Sequence, residues 1–331
     1  MKIAFELWST GLINQLMSLE LAVGISEFYN TEVLLYNIKK EGIYSPIAYD
    51  DNARKGIVEQ RSESSVPKIT DLVDWNNDFW VLESENIKES LPNYETIVLT
   101  DHYIDCGGDP DELHWKYDKQ FIADPDKSYN FEVSICYYSQ FFKNRTKQID
   151  KALSNIKWKK PYFELAMNIA KELGEFSGAH LRMTDHRNVV FAISEQSFLD
   201  ELAWLESKGL PVIICTDNPQ YPWIKSNSNR YKFIDDIILE NWKESFTNLP
   251  FRDEVTFSLI CNLVMGYSKY FVGTVRSTYT GYIQRMVDYR TEGFEWRFFD
   301  GEYGTDFEKF PKDYEPKPRW WREIPNHRLI K

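Results

Sequence analysis

The sequence is short of basic residues: its 331 residues include 39 lysines and arginines against 51 aspartates and glutamates, for a net charge of −12. Nucleic-acid binders need a basic face, so this balance argues against nucleic acid as a partner. Long hydrophobic runs are lacking as well, since no stretch approaches the roughly 18 apolar residues of a membrane span. Residues 1–8 have the pattern of a first strand instead of a signal peptide. We therefore expect a cytoplasmic protein with no transmembrane segment.

The sequence also has few cysteines and no recognisable metal-ligand pattern. Its four cysteines show neither close pairing nor ligand spacing, which predicts reduced and mostly buried thiols. The spacing within the one cluster of acidic residues and histidines matches no zinc site; the cluster comprises Asp101, His102, Asp105 and His114. Gly11 follows the first strand without the second and third glycines of a dinucleotide fingerprint. We expect no metal and no bound cofactor.

What the first half does contain is a β-α-β pattern. A strand at 2–8 is followed by apolar residues at helical spacing over 14–28 and by a second strand at 31–36. Such a unit implies a parallel sheet with a right-handed crossover. A short strand follows at 96–100, whereas two polar stretches are predicted to be loops, 39–65 and 105–130.

The same alternation begins again in the second half. The predicted helices are 161–173, 195–208, 253–268 and 278–290, and the predicted strands are 177–182, 211–216, 231–234 and 270–274. Domains typically hold about 100 to 200 residues, so the length fits two of them. The fold class is therefore α/β with two Rossmann-like domains. The predicted divisions are 1–150, 151–300 and a C-terminal tail at 301–331, the stretch from 291 being an extended arm packed on the body.

In open α/β sheets, ligands bind where the carboxyl ends of the strands face a crevice, and four segments lie at such ends. The first runs from Gly11 through Asn14 to Gln15, where a glycine and two amide side chains at a helix start offer donors to an anion or a sugar hydroxyl. A tight turn with a helix cap explains the same residues equally well.

The second segment is His180-Leu181-Arg182 with Asp185, after a strand that contains Gly178 and Ala179. Strand alternation puts His180 and Arg182 on one side, so one ligand can touch both. The arginine is a planar, permanently charged fork that suits a phosphate. The alternative is a structural ion pair between Arg182 and Asp185.

The third and fourth segments end later strands. Thr216 and Asp217 precede Asn218-Pro219, and an Asx-type turn is the strong alternative to ligand binding there. In the fourth, a hydroxyl-rich turn with an arginine opens a helix; its hydroxyls belong to Thr274, Ser277, Thr278 and Thr280. Helix N-termini bind phosphate well. N-capping explains one hydroxyl but not four.

Taken in order, these segments resemble the GDP-fucose-dependent fucosyltransferase superfamily, which includes protein O-fucosyltransferases and bacterial and core α1,6-fucosyltransferases. Three stretches carry the resemblance: Gly11-Leu12-Ile13-Asn14-Gln15-Leu16, Gly178-Ala179-His180-Leu181-Arg182, and Gly273-Thr274 through Ser277-Thr278-Tyr279-Thr280 with Arg285. Thr216-Asp217 is similar to the Thr-Asp pair that ends a strand between the last two. Together they span residues 11 to about 290.

The resemblance implies a GT-B architecture, two Rossmann-like domains facing across a cleft, and an inverting glycosyltransferase that works without a metal. It further implies a nucleotide sugar, GDP-fucose, as donor and a glycan or other hydroxyl compound as acceptor. In that reading Arg182 holds the β-phosphate, Asn14 faces the reacting sugar, and His180 and Asp185 help to hold the nucleotide. The phosphate site would be lined by Ser277, Thr278 and Thr280.

Two positions depart from the family pattern. Relatives with core α1,6 activity have a second arginine where Met183 stands, and many relatives carry an aspartate about where Cys261 falls. The general base stays open among Glu6, Asp101 and Asp105, and the leaving phosphate can also relay the proton. Two alternatives remain: a catalytically silent module that binds a nucleotide sugar or glycan, and a glycosyltransferase with another donor.

Overall fold

The computed structural model describes the core strands of the first half and most of the second half of the chain. The described residues are 1–6, 12–13, 15–16, 19, 22–23, 26, 30–36, 68–74, 81–84, 87–91, 93–99, 124–133, 156–183, 191–274, 277–290, 295–299 and 301–303. The chain forms two compact units, and among the described residues the first ends at Lys159 and the second begins at Lys160.

The first unit contains a five-stranded parallel sheet. Its strands are β1 (Lys2–Glu6), β2 (Val33–Tyr36), β4 (Val81–Ser84), β5 (Glu95–Leu99) and β6 (Ser128–Val133), in the order β4-β2-β1-β6-β5. Two short strands, β3 (Val73–Asp74) and β7 (Lys157–Trp158), pair antiparallel to each other. The short helices are α1 (Ile69–Leu72) and α2 (Ile87–Ser90).

Strand β1, the helical residues after it and strand β2 confirm the predicted β-α-β unit. In β1, Ile3, Ala4 and Phe5 are all buried, as expected for a strand covered on both faces. The described residues from Leu12 to Ser26 are helical. Buried apolar side chains recur at helical spacing among them: Leu12, Leu16, Leu19 and Val23. Parallel pairing of β1 with β2 then follows from the crossover.

The prediction of a loop over 105–130 is wrong at its end, because β6 begins at Ser128 and pairs with β1 on one side and β5 on the other. Tyr129 and Phe131 are buried, and so is the intervening Asn130. An asparagine inside a central strand weakens the apolar pattern that identifies such a strand. Strand β4 was not predicted either. Residues 105–123 and the loop predicted at 39–65 lie outside the described residues.

The second unit contains another five-stranded parallel sheet. Its strands are β8 (Ser177–Leu181), β10 (Val212–Thr216), β11 (Lys232–Phe233), β12 (Tyr270–Gly273) and β13 (Glu295–Phe298), in the order β11-β10-β8-β12-β13. Numbered within this sheet, the order is 3-2-1-4-5, that of the doubly wound Rossmann fold. After β8 the chain adds β10 and β11 on one side of β8, and later it adds β12 and β13 on the other side. The strand order therefore reverses between β8 and β12.

Four helices of this unit lie close to predicted positions: α3 (Lys160–Leu173), α4 (Glu195–Glu206), α8 (Glu254–Met265) and α9 (Thr278–Arg290). Three shorter helices were not predicted: α5 (Pro222–Ser226), α6 (Ile234–Asn241) and α7 (Lys243–Thr247). Helix α8 is buried along almost all of its length, and α3 packs against it.

The prediction of an extended arm from 291 is wrong over the described part of that stretch. Strand β13 joins the sheet beside β12, and Phe299 after it is fully buried. A further strand, β14 (Gly301–Tyr303), pairs antiparallel with β9 (Phe191–Ile193). Aromatic residues among charges hid this strand pattern from the sequence.

Candidate functional site

The predicted residues of the second unit meet at the carboxyl edge of its sheet. His180 in β8 lies opposite Cys215 in β10 and opposite Gly273 in β12, so the three strands end at the same level. This edge includes the point between β8 and β12 where the strand order reverses. In doubly wound folds that reversal opens the crevice in which ligands bind.

Thr274 joins the ends of β8 and β12 through its fully buried hydroxyl. Its Oγ1 donates to the carbonyl of His180 at 2.9 Å and accepts from the amide of Arg182 at 2.9 Å. One hydroxyl thus supplies a donor and an acceptor to two residues of the same neighbouring segment. The contact fixes the backbone on which the Arg182 side chain is mounted.

His180 is a buried histidine, 3% exposed, whose ring contacts two residues of α9. Its Nδ1 lies 2.6 Å from Oγ1 of Thr280, and its ring centroid lies 4.6 Å from that of Tyr279 at an interplanar angle of 32°. Thr280 Oγ1 also accepts from the amide of Thr274 at 3.1 Å. The imidazole is therefore part of the packing that joins α9 to the strand ends.

The close approach of α9 requires the glycine at the end of β12. A Cβ built on Gly273 would overlap the methyl carbon of Thr280 and lie 3.0 Å from Cε1 of Phe271. Thr280 is buried and β-branched, so its side chain has little freedom to move away. A glycine at 273 therefore allows the Thr280 hydroxyl to reach both His180 and Thr274.

Arg182 is paired with Asp217; Asp185, the partner considered in the sequence, lies outside the described residues. Its Nε lies 3.2 Å from Oδ2 of Asp217, while Oδ1 of the same carboxylate accepts from the amide of Met183 at 2.6 Å. The side chains of Arg182 and Asp217 are 25% and 13% exposed. The guanidinium is thus oriented by a mostly buried carboxylate and still reaches solvent.

Internal hydrogen bonds engage three of the four hydroxyls in the fourth predicted segment. Those of Thr274 and Thr280 make the contacts above, and Ser277 Oγ accepts from the amide of Thr280 at 3.4 Å, as an N-cap does. Thr278, the first residue of α9, is partly exposed. The amino end of this 13-residue helix brings its partial positive charge to the same edge.

Thr216 takes part in a turn, which was the alternative to ligand binding in the sequence analysis. It is 4% exposed, and its Oγ1 accepts from the amide of Asn218 at 3.2 Å, which closes a hydroxyl turn after β10. That turn places Asp217 beside Arg182. The Thr-Asp pair therefore positions the arginine through Asp217.

Tyr279 is the residue that the prediction of the site missed. Its hydroxyl donates to the carbonyl of Ser258 at 2.7 Å and lies 3.7 Å from Sγ of Cys215. Burial, followed by the nearby thiols of Cys215 and Cys261, raises the pKa of this phenol well above 10.0. Its sequence position beside Thr280 in the hydroxyl-rich segment was the available signal.

Cys261 lies against a carboxylate supplied by another helix. Its Sγ is 3.8 Å from Oδ1 of Asp235, in the first turn of α6, and both residues are buried. A carboxylate therefore occurs beside the position at which the sequence has cysteine. Sequence reasoning did not predict this contact, because residues 235 and 261 lie on different helices.

Several predicted residues lie outside the described part of the chain: Gly11, Asn14, Asp185, Asp101, Asp105, His102, His114 and Arg276. Glu6, another candidate base, ends β1 and is partly exposed. Among the described residues there is no group of three or more histidine, cysteine, aspartate or glutamate side chains that could hold a metal ion. Within the same residues, no helix is long and apolar enough to cross a membrane.

The chain is similar to solved fucosyltransferase structures over most of its length. POFUT1 in complex with GDP is 12% identical, with 90% of this chain and 98% of that chain covered, at a TM-score of 0.48. NodZ α-1,6-fucosyltransferase soaked with GDP-fucose is 13% identical, with 88% and 93% covered and a TM-score of 0.47. Fucosyltransferase NodZ from Bradyrhizobium is 15% identical, with 86% and 93% covered and a TM-score of 0.46. No protein-family model matches the chain, and no curated protein matches it.

Proposed function

We propose that this chain is an inverting, metal-independent glycosyltransferase that transfers a sugar, fucose from GDP-fucose, to a hydroxyl of a glycan or another acceptor. The observation that carries the proposal is the placement of Arg182 at the carboxyl edge of a doubly wound sheet, where Asp217 and Thr274 orient it beside the amino end of α9. The order of motifs along the sequence supports the same family of reactions.

The chemistry of this edge suits a diphosphate. A guanidinium ion presents N–H donors in a fixed fork that matches phosphate oxygens, and its charge does not depend on pH in the working range. The amino end of α9 adds backbone N–H groups and a partial positive charge. Both are held before a ligand arrives, since Asp217, Thr274 and Ser277 already fix the surrounding backbone and side chains.

The proposed reaction breaks the bond between the anomeric carbon of the sugar and an oxygen of the β-phosphate. The bonding electrons move to that oxygen, while the acceptor hydroxyl oxygen forms a bond to the anomeric carbon from the opposite face and inverts it. Arg182 and the amino end of α9 face the negative charge that develops on the diphosphate. The acceptor proton passes to a carboxylate, for which Glu6, Asp101 and Asp105 are candidates, or to the leaving phosphate.

Asp235 supports guanine as the base of the donor. A carboxylate has only acceptor oxygens when ionised, and guanine presents adjacent N–H donors that such a group can bind. The family resemblance implies a carboxylate near position 261, and Asp235 brings one to within 3.8 Å of the Cys261 sulfur. Exchange of Asp235 for asparagine should therefore reduce discrimination between GDP and ADP.

The roles assigned to the other residues follow from their contacts. In our proposal Arg182 binds the β-phosphate, Thr278 contributes a donor beside it, and Asp217 and Thr274 act on the donor by positioning Arg182. His180, Thr280 and Ser277 hold the amino end of α9. Gly11 and Asn14 would act on the sugar from the first unit, and Asp185 on the nucleotide.

A binding module without catalysis is the second candidate, and Met183 is the observation that favours it. Met183 adds no charge beside Arg182, since its side chain is 3% exposed and belongs to the hydrophobic core. Slow hydrolysis of GDP-fucose, or transfer to a glycan array, distinguishes an enzyme from a module that only binds.

Calorimetric titration with GDP, UDP and ADP tests the donor site. Arg182→Ala should weaken GDP binding by about ten- to a hundredfold, since a hydrogen bond to a charged group is worth about 1.5 to 3 kcal/mol. Arg182→Lys should restore only part of the affinity, because lysine keeps the charge without the fork. Arg230→Ala is the matched control: Arg230 pairs with exposed Glu206 in the same unit and should not affect binding. Absence of binding to all three nucleotides in the wild-type protein would contradict the proposal.

A further inference from the structure

Tyr279 makes hydrogen bonds to α8 through both its side chain and its backbone. Its hydroxyl donates to the carbonyl of Ser258 at 2.7 Å, and its own carbonyl accepts from Nδ2 of Asn262 at 3.1 Å. Residues 258 and 262 are four apart on the same helix and therefore lie on one face of it. Because α8 is almost entirely buried, it forms a firm base for these two contacts.

The ring of Tyr279 lies against the imidazole of His180. The ring centroids are 4.6 Å apart and the planes are tilted by 32°, while the imidazole Nδ1 lies 2.6 Å from Thr280 Oγ1. A buried imidazole between an aromatic ring and a hydroxyl has little freedom to rotate. Loss of the tyrosine ring would leave space beside the imidazole and loosen its contact with Thr280.

From Thr280 the contacts continue to the proposed phosphate ligand. Thr280 Oγ1 accepts from the amide of Thr274, and Thr274 Oγ1 accepts from the amide of Arg182. We propose that Tyr279 is a positioning residue for the donor, whose ring fixes His180 and Thr280 and thereby the backbone of Arg182. This inference rests on the proposed function, because it assigns Tyr279 to the same donor site.

The ring, and not the hydroxyl, should carry this role. The single phenol proton is donated to the Ser258 carbonyl, and burial raises the pKa of Tyr279, so the phenol neither supplies nor takes a proton at neutral pH. Phenylalanine at 279 keeps a ring beside His180, whereas leucine does not. The pair of substitutions therefore separates ring packing from hydrogen bonding.

The test measures GDP affinity by calorimetry in the full-length protein. Tyr279→Leu should weaken GDP binding about tenfold, within the range known for residues that act on a site through others, whereas Tyr279→Phe should stay within about twofold of wild type. Tyr282→Leu is the matched control, since Tyr282 is a fully buried tyrosine of the same helix. It should lower the melting temperature without changing GDP affinity. If Tyr279→Leu does not fold, Tyr279→Met replaces it, because methionine fills irregular space.

A spectroscopic measurement keeps this inference separate from the proposed function. The ring nitrogen and carbon-bound proton signals of His180, assigned with a His180→Gln variant, should shift in Tyr279→Leu and return in Tyr279→Phe, with no nucleotide present. GDP binding by Tyr279→Leu equal to wild type, or an equal loss in Tyr282→Leu, would overturn the inference. If the wild-type protein binds no nucleotide, the proposed function fails, and an unchanged His180 spectrum in Tyr279→Leu then overturns the packing role as well.

Discussion

Replacement of Thr274 by valine removes one hydroxyl and almost no volume from the strand edge. Two hydrogen bonds disappear, the bond from Thr274 Oγ1 to the His180 carbonyl and the bond from the Arg182 amide to Thr274 Oγ1, each 2.9 Å long. The carbonyl is buried and loses its partner at about 1 to 3 kcal/mol, while the partly buried amide can be rehydrated and loses about 1 kcal/mol. We therefore expect a loss of about 2 to 4 kcal/mol in the stability of the second unit.

Hydrogen exchange measures this effect at the bond concerned. The amide of Arg182 should exchange about thirtyfold faster in Thr274→Val, because a local loss of about 2 kcal/mol corresponds to that factor at 1.4 kcal/mol per tenfold change. Exchange at the Thr274 amide, which donates to Thr280 Oγ1, should change less, because its acceptor remains. Because the backbone of Arg182 becomes less ordered in Thr274→Val, the affinity of this variant for GDP should also fall.

Thr274→Ser is the control for this prediction. Serine keeps the hydroxyl and lacks one methyl group, so it should lose only about 1 kcal/mol of stability and keep the Arg182 amide protected. If Thr274→Val leaves the exchange of the Arg182 amide unchanged, the hydroxyl does not hold that backbone and the reasoning is refuted. The same conclusion follows if serine and valine have equal effects.

Two further predictions concern the amino end of α9. Gly273→Ala should cost about 1 to 3 kcal/mol and weaken GDP binding, because its methyl group would overlap the buried side chain of Thr280. Gly178→Ala, whose methyl group would meet Cε of Met265 at 2.8 Å and Cβ of Ser268 at 3.0 Å, should also cost stability but leave GDP affinity unchanged in the same titration. The second prediction concerns alkaline pH. In the unfolded chain the Tyr279 phenol loses its proton near the ordinary pKa of 10.0, whereas the folded phenol keeps its proton, so the free energy of unfolding falls as the pH rises above 10. In urea unfolding, the advantage of wild type over Tyr279→Phe should therefore shrink between pH 9 and pH 11, and a constant difference would contradict it.

Strand-end reasoning predicted from the sequence which residues share the carboxyl edge of the second sheet, because a strand end is a local pattern. A buried strand followed by polar residues puts those residues at the carboxyl edge, and parallel pairing brings all such edges together. Arg182, Asp217 and Thr274 were placed at one edge for this reason, and the structure brings them into contact. The strand ends were therefore readable without any knowledge of strand order.

The partners within the site were not predictable, because they depend on the order of strands in the sheet. In the sequence, an ion pair with Asp185, three residues away, was the structural alternative for Arg182; among the described residues, the carboxylate that contacts Arg182 is Asp217, which follows the neighbouring strand β10. The hydroxyl pattern at Thr274 and Thr280 was visible, yet its use in joining β8 to α9 requires β12 to lie beside β8. Strand β6 was not predicted for a different reason: the buried Asn130 interrupts its apolar pattern.

Met183 is a core residue of this chain, not an exposed position left without a charge. Its side chain is 3% exposed in the core cluster that includes Leu181, Val272 and Phe299, while its amide donates to Asp217. An arginine in that orientation would bury an unpaired charge, which is strongly unfavourable. The strand end therefore directs residue 182 toward solvent and residue 183 into the core. In this chain the carboxylate that orients Arg182 also holds the next amide, so Asp217 fixes both the guanidinium and the backbone at the strand end.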